Sequence, residues 1–186
     1  MDAPAHAPDP DAEAERLRRA RRGDGAAFEA LYHDHARAVH ALAFRLTGNA
    51  AEAEDIVQET FLRMFGFLSG LRENTPLRPW LKRVAANLAL DRLRRQQHPG
   101  TDMALAALAD TASASPADAA DADTLLRRLP PLARTVVWLH EMEGWSHEDL
   151  GRRFGRTASW SKSLMSRSLA RLRQDLDPHG DAPHDV

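Results

Sequence analysis

Near the C-terminus of this 186-residue chain, Lys162, Arg167, Arg171 and Arg173 stand in one basic, helix-like segment. A guanidinium presents a planar fork of N–H donors that fits phosphates and guanine edges, and an ammonium adds a point charge. What must present these cations lies just upstream. Ser146 followed three positions later by Asp149 is a capping box that opens a short helix, and Gly155 closes it. Thr157 then caps a longer helix. Two helices joined by so tight a turn form a helix-turn-helix, with the second, basic helix shaped for a DNA major groove.

A second set of such residues lies in the run from Leu71 to Arg95. A polar loop with Asn74 and Thr75 opens into a helical segment bearing Trp80, Lys82, Arg83, Asn87 and Arg92. Ring surface for stacking, amides for base edges and cations for phosphates suit unpaired bases. Trp80 has two readings, a stacking surface or a core anchor. Before this run, Asn49 with Glu52 three residues on caps another helix, in which Val57, Phe61, Met64, Phe65 and Leu68 form an apolar stripe. Glu52, Asp55, Gln58, Glu59 and Leu62 share the opposite side. An acidic face with a leucine set in it is either a docking surface or a solvated one.

Other chemistries find little support. Glu52, Glu54, Asp55 and Glu59 cluster like acid–base carboxylates, but neighbours on an exposed helix read as docking or solvated charge. His140-Glu141 lacks a second histidine four residues on, and His147-Glu148 merely opens a capped helix, so no metal site is expected. His33, His35 and His40 read as surface residues. With no cysteine, no glycine-rich phosphate loop and no nucleophile elbow, neither a catalytic residue nor a cofactor is expected.

The formal net charge of -2 conceals strong patterning. Residues 1–15 carry five acids and no base, as do residues 98–123. Residues 16–97 hold 15 Lys and Arg against nine Asp and Glu, and residues 124–176 hold ten against five. Two basic blocks with acidic spacers suggest two surfaces for a polyanion. Apolar periodicity of three and four residues over 25–46, from Ala50, over 78–96, and again over 123–129 and 132–143, with no strand-like alternation, makes the fold class all-α. The expected organisation is an acidic disordered tail over 1–15, a helical domain over 16–97, a flexible acidic linker over 98–122, a helix-turn-helix domain over 123–176, and a disordered tail over 177–186. No apolar run approaches a membrane span and no secretory signal is evident, so a cytoplasmic protein is expected.

Specific runs add a resemblance. Ala53-Glu54-Asp55-Ile56-Val57-Gln58-Glu59-Thr60-Phe61, Pro79-Trp80-Leu81 and Asn87-Leu88-Ala89-Leu90-Asp91-Arg92-Leu93-Arg94 resemble the first conserved domain of extracytoplasmic-function (ECF) sigma factors of the sigma-70 family. Leu129-Pro130-Pro131 through Arg173, including Glu143-Gly144-Trp145-Ser146, is similar to their second domain. The resemblance covers about residues 16–176. It implies docking of Asp55, Ile56, Gln58, Glu59 and Leu62 on the β′ clamp helices of core RNA polymerase, with the β flap as a further contact. It implies capture of the −10 promoter strand by Arg72, Asn74, Thr75, Trp80, Lys82, Arg83, Asn87 and Arg92. It implies reading of the −35 duplex by Arg156, Thr157, Trp160, Lys162, Ser163, Arg167 and Arg171. It also implies an anti-sigma factor as a partner. Beside the resemblance, the acidic content of the linker, Asp102, Asp110, Asp118 and Asp121, is expected to imitate nascent RNA in the polymerase's basic RNA channel. The rival reading is a helix-turn-helix regulator with an N-terminal sensing or dimerisation domain.

The recognition helix departs from the family pattern. Met165, Leu169, Leu172 and Leu176 are expected as its inner stripe, with Trp160, Ser163, Arg167 and Arg171 outward. Ser161 stands where a core valine is usual, and Leu164 replaces a common DNA-contacting arginine. Trp160 either meets a thymine methyl or packs on the preceding helix.

Overall fold

A computed structural model describes residues 10–71, 75–96 and 122–176. The expected tail over 177–186 and the linker up to residue 121 lie outside the described residues, as do Arg72 and Asn74. Among the described residues are eight α-helices and no strand. They are α1 (Pro10–Arg21), α2 (Gly25–Thr47), α3 (Ala50–Phe67), α4 (Leu77–Gln96), α5 (Ala122–Arg127), α6 (Pro131–Glu141), α7 (His147–Phe154) and α8 (Ala158–Leu176), with a 3-10 turn at Leu68–Gly70 after α3. The chain divides into two compact units. One comprises residues up to Phe44 and Asn49–Leu88; the other comprises Arg45–Gly48 and Ala89 onward.

The first unit begins earlier than its composition suggested. Residues 10–15, expected in an acidic tail, belong to α1, which buries Leu17 and Ala20. Acids in its first turn and arginines in its last match the helix dipole, so the charge that reads as a tail is in part a helix signal. α3 starts where Asn49, extended at φ -127 and ψ 123, accepts the Glu52 N–H on its side chain at 3.3 Å. Its buried face is Ala53, Ile56, Val57, Thr60, Phe61 and Met64. Phe65, expected in that stripe, is exposed and meets Phe28 edge-on at 5.5 Å. His35, expected at the surface, is 0% exposed, because its position on α2 faces α1. Trp80 is half-buried, its ring parallel to that of the exposed Phe67 at 6.3 Å. Phe67 itself lies over Gly70, where a Cβ would come within 2.9 Å of the ring.

In the second unit the capping residues act as their types predict. Ser146 accepts the Asp149 N–H at 3.0 Å and donates its own hydroxyl to the Asp149 carboxylate at 2.8 Å. Gly155 ends α7 in the left-handed region at φ 64, and Thr157 accepts the Trp160 N–H at 3.2 Å. The inner stripe of α8 differs from expectation: it is Ser161, Leu164, Ser168 and Leu172, while Leu176 is exposed and Met165 and Leu169 are half-buried. The face is rotated because two serines occupy it. Small side chains permit close approach, and each finds a local partner. Ser168 donates to the Leu164 carbonyl at 2.8 Å, and Ser161 hydrogen-bonds His147 Nδ1 at 3.1 Å. Leu164 is 0% exposed, so in this chain it is a core residue and cannot contact DNA.

His147 also stacks on His140, with ring centroids 4.1 Å apart, and His140 Nδ1 donates to the Trp145 carbonyl at 2.7 Å. Three segments, α6, the turn after it and α7, are thereby joined to α8 through imidazoles. Burial holds His147 below its ordinary value of 6.5, reinforced by His140 and Lys162 and opposed by Glu141.

Two predictions follow from this packing. A Cβ on Gly151 would sit 2.7 Å from the Thr157 carbonyl carbon and oxygen, whereas one on the exposed Gly66 of α3 meets nothing within 4 Å. Gly66→Ala should therefore stabilise the protein by up to about 1 kcal/mol. Gly151→Ala should destabilise it by roughly 1–3 kcal/mol despite the same gain in helix propensity. Thermal unfolding followed by circular dichroism checks both signs. A group depressed on folding takes up protons more readily when unfolded, so the His147 contribution is complete above 6.5 and is lost as pH falls. Unfolding followed by tryptophan fluorescence should move to lower temperature between about pH 7.5 and 5.5. His147→Asn should flatten that dependence, and an identical slope in the variant would contradict the assignment.

Candidate nucleic-acid and partner interfaces

Helical period sorts the expected docking residues of α3. Asp55, Gln58 and Leu62 are exposed, and Leu62 retains 66% of its surface. Glu59 is half-buried and accepts from Arg63 Nε at 2.8 Å, one turn along. Ile56 is 0% exposed and belongs to the core. The resemblance groups it with its sequence neighbours as a docking residue, but it lies on the opposite side of the helix and supports the face from beneath. Beside the face, a cavity of about 370 Å³ opens between α2 and α3, lined by Tyr32, Arg37, His40, Glu54 and Gln58 among others. An exposed leucine with Glu59 one turn and Asp55 two turns before it, next to a recess with mixed charge, can bury an apolar group from a partner that carries basic residues nearby.

The second candidate surface lies on α4. At about 100° per residue, Trp80, Arg83 and Asn87 fall within roughly 60° of one another. Arg83 is exposed, and Trp80 and Asn87 are half-buried. Lys82 and Arg92, both half-buried, lie off this stripe toward the far side of the helix. Thr75, half-buried, leads into the first turn. Phe67, absent from the expected set, joins it through its stacked contact with Trp80. Its signal in the sequence was faint: an aromatic residue off the apolar stripe, three positions before a glycine. An exposed ring, a second ring parallel to it, an amide and a cation form a platform for a flat heterocycle.

The third surface belongs to α8. Trp160, Ser163, Arg167 and Arg171 share an arc of roughly 80°. Ser163 and Arg167 are exposed, and Arg171 is half-buried beside the inner stripe. Lys162 is exposed but off this arc, close enough to His147 to disfavour that imidazole's protonation. Arg156 and Thr157 are exposed immediately before the helix, where backbone N–H groups and the dipole favour a phosphate. Trp160 packs on Phe154 of α7, ring centroids 5.4 Å apart, and remains half-buried. Of its two readings, packing on the preceding helix is therefore realised.

No helix among the described residues is long and apolar enough to cross a membrane. Comparison with known proteins agrees with the division into two parts. Residues 31–98 match the family Sigma-70 region 2, and residues 120–172 match Sigma-70, region 4. The chain is similar to RNA polymerase sigma factor CarQ of Myxococcus xanthus, with 36% identity over 168 residues, spanning 86% of this chain and 95% of CarQ. It is also similar to ECF RNA polymerase sigma factor SigE of Mycolicibacterium smegmatis, with 34% identity over 84% of this chain and 65% of SigE. In fold it is like CnrH, solved in complex with the cytosolic domain of CnrY, at a TM-score of 0.51 and 23% identity over 91% of this chain and all of that one. Both helical parts are thus claimed by sigma-70 regions, which sets aside the rival sensing domain. The chain belongs to the ECF RNA polymerase sigma factors of the sigma-70 family.

Proposed function

We propose that this sigma factor docks on core RNA polymerase through the Asp55–Gln58–Leu62 face of α3 and brings two DNA-reading surfaces to a promoter. The reading rests above all on Leu62, which keeps 66% of its surface in contact with solvent within an acidic face. Leaving a leucine so exposed forgoes roughly 1–2 kcal/mol of burial, which a partner recovers. The matching partner surface in this reading is the β′ clamp helices, with the β flap as a second contact, and the site of action is the cytoplasm.

In this account the α4 stripe takes the melted −10 strand and α8 takes the −35 duplex. Unstacking a base costs a few kcal/mol, so a platform of Phe67 and Trp80 flanked by Arg83 and Asn87 favours opening only where a base can be held. On α8, Arg167 and Arg171 supply the charge and Ser163 a hydroxyl for the groove, with Arg156 and Thr157 on the backbone side. Leu164, withdrawn into the core, leaves −35 reading to these positions. The family resemblance makes an anti-sigma factor a further partner of the same surfaces. Nothing in this mechanism requires a cofactor or a catalytic group.

Association with purified core polymerase tests the docking face. Leu62→Asp should weaken it by roughly tenfold or more. Asp55→Lys should slow association most at low salt. Unchanged binding in both variants would remove α3 from the interface. For α8, Arg167→Ala should either lower the salt slope of −35 binding by about one, as a phosphate contact does, or relax preference at one base pair. Indifference of −35 binding to both Arg167→Ala and Arg171→Ala would exclude this helix from the site.

A further inference from the structure

Two side chains of α1 reach past their own helix to the elements that carry the aromatic platform. Glu13, Leu17 and Arg21 recur at four-residue steps and so share one face, Glu13 and Arg21 being about 12 Å apart along the axis. Leu17 between them is buried. At one end, Arg21 Nε donates to the Leu68 carbonyl at 3.0 Å, in the 3-10 turn that follows Phe67. At the other, the Leu77 N–H donates to Glu13 Oε1 at 3.3 Å, at the first residue of α4.

The second contact answers a deficiency written into the start of α4. The first N–H groups of any helix lack partners within it. Here Pro76, in the capping position, has no side-chain acceptor, and Pro79 has no N–H to satisfy. Trp80 makes its bond to the Pro76 carbonyl at 3.3 Å, so the needy donors are those of Leu77 and Arg78. A carboxylate from a helix 64 residues away takes the role that Asn49 plays locally at α3 and Ser146 at α7, and its charge suits the helix dipole. Glu13 is itself held. Its Oε2 lies 3.0 Å from Nε2 of the fully buried His35, an ionic distance without the aim of a good hydrogen bond. Burial holds His35 below the ordinary imidazole range against the pull of Glu13 and Asp34, so the imidazole is less readily protonated. Arg16 and Asp34 form an ion pair alongside, binding α1 to α2 a second time.

We propose that α1 is a splint for strand capture: Arg21 and Glu13 fix the 3-10 turn and the start of α4 relative to one another, and so hold Phe67, Trp80, Arg83 and Asn87 in register. Both are positioning residues, acting through the platform without touching DNA. The inference rests on the reading of α4 as the single-strand surface. It adds that the N-terminal helix, outside the residues matched to region 2, is needed for melting and not for docking.

The test uses the full chain assembled with core polymerase on a promoter fragment that the wild-type holoenzyme transcribes, supplied both as duplex and with its −10 region pre-mismatched. Permanganate reactivity of unpaired thymines reads melting, and co-purification reads core binding. Glu13→Ala and Arg21→Ala should each reduce open complexes on duplex by tenfold or more and weaken retention of the pre-mismatched fragment. Core association should stay within twofold of wild type. Glu13→Gln, which keeps an oxygen for the Leu77 N–H, should recover most of the activity lost in Glu13→Ala, and this rescue guards against a variant that simply misfolds. The splint is overturned if Glu13→Ala and Arg21→Ala melt duplex normally, if core binding falls in step with melting, or if Glu13→Gln is as defective as Glu13→Ala. A wild-type holoenzyme whose melting is insensitive to Trp80→Ala and Arg83→Ala would overturn the reading of α4 itself, an outcome distinct from failure of the splint.

Discussion

A helix of 3.6 residues per turn cannot bury and display the same residue, and this constraint organises every surface of the protein. In α3 the core takes Ala53, Ile56, Val57, Thr60 and Met64. Asp55, Gln58 and Leu62, on the other side of the helix, are left exposed. The burial that holds the first unit together therefore also dictates the orientation of its acidic face. In α8 the same rule turns Ser163 and Arg167 outward by turning Ser161, Leu164 and Ser168 inward. Interface and core are two sides of one periodicity.

Small residues then set how closely the helices approach. Gly151 lets the Thr157 backbone lie where any side chain would collide, which fixes the entry of α8. Ser161 and Ser168 pack without bulk and satisfy their hydroxyls within reach, one on His147 and one on the Leu164 carbonyl. A valine at 161 would add apolar burial but would lose the polar link to the stacked His140–His147 pair. The unit thus exchanges some hydrophobic stabilisation for a directional tie between its helices, at the cost of sensitivity to protonation.

Much of this was legible in the sequence because caps and turns are local. Ser146 with Asp149, Asn49 with Glu52, Gly155 and Thr157 each act within three or four residues, and each is seen as its type predicts. Outward faces were legible too, since polar and charged side chains mark them: Arg167, Ser163 and Asp55 are exposed as expected. Features that depend on distant partners were not. An apolar count could not find an inner stripe containing two serines, nor see that Ile56 belongs beneath its polar neighbours. The acidic N-terminal residues looked like solvated chain because Glu13 finds its partners, His35 and Leu77, far along the sequence. His35, which reads as a surface residue, is buried for the same reason.

The central claim is that these surfaces serve one act, the directing of core RNA polymerase to promoters. Transcription in vitro over a genomic library, with purified core enzyme and this chain alone, measures it most directly. Mapped 5′ ends should fall at a limited set of positions, each preceded by shared sequence at the −10 and −35 spacing and absent when core enzyme acts alone. Start sites that are unchanged by adding the chain, under conditions where it binds core polymerase, would contradict it.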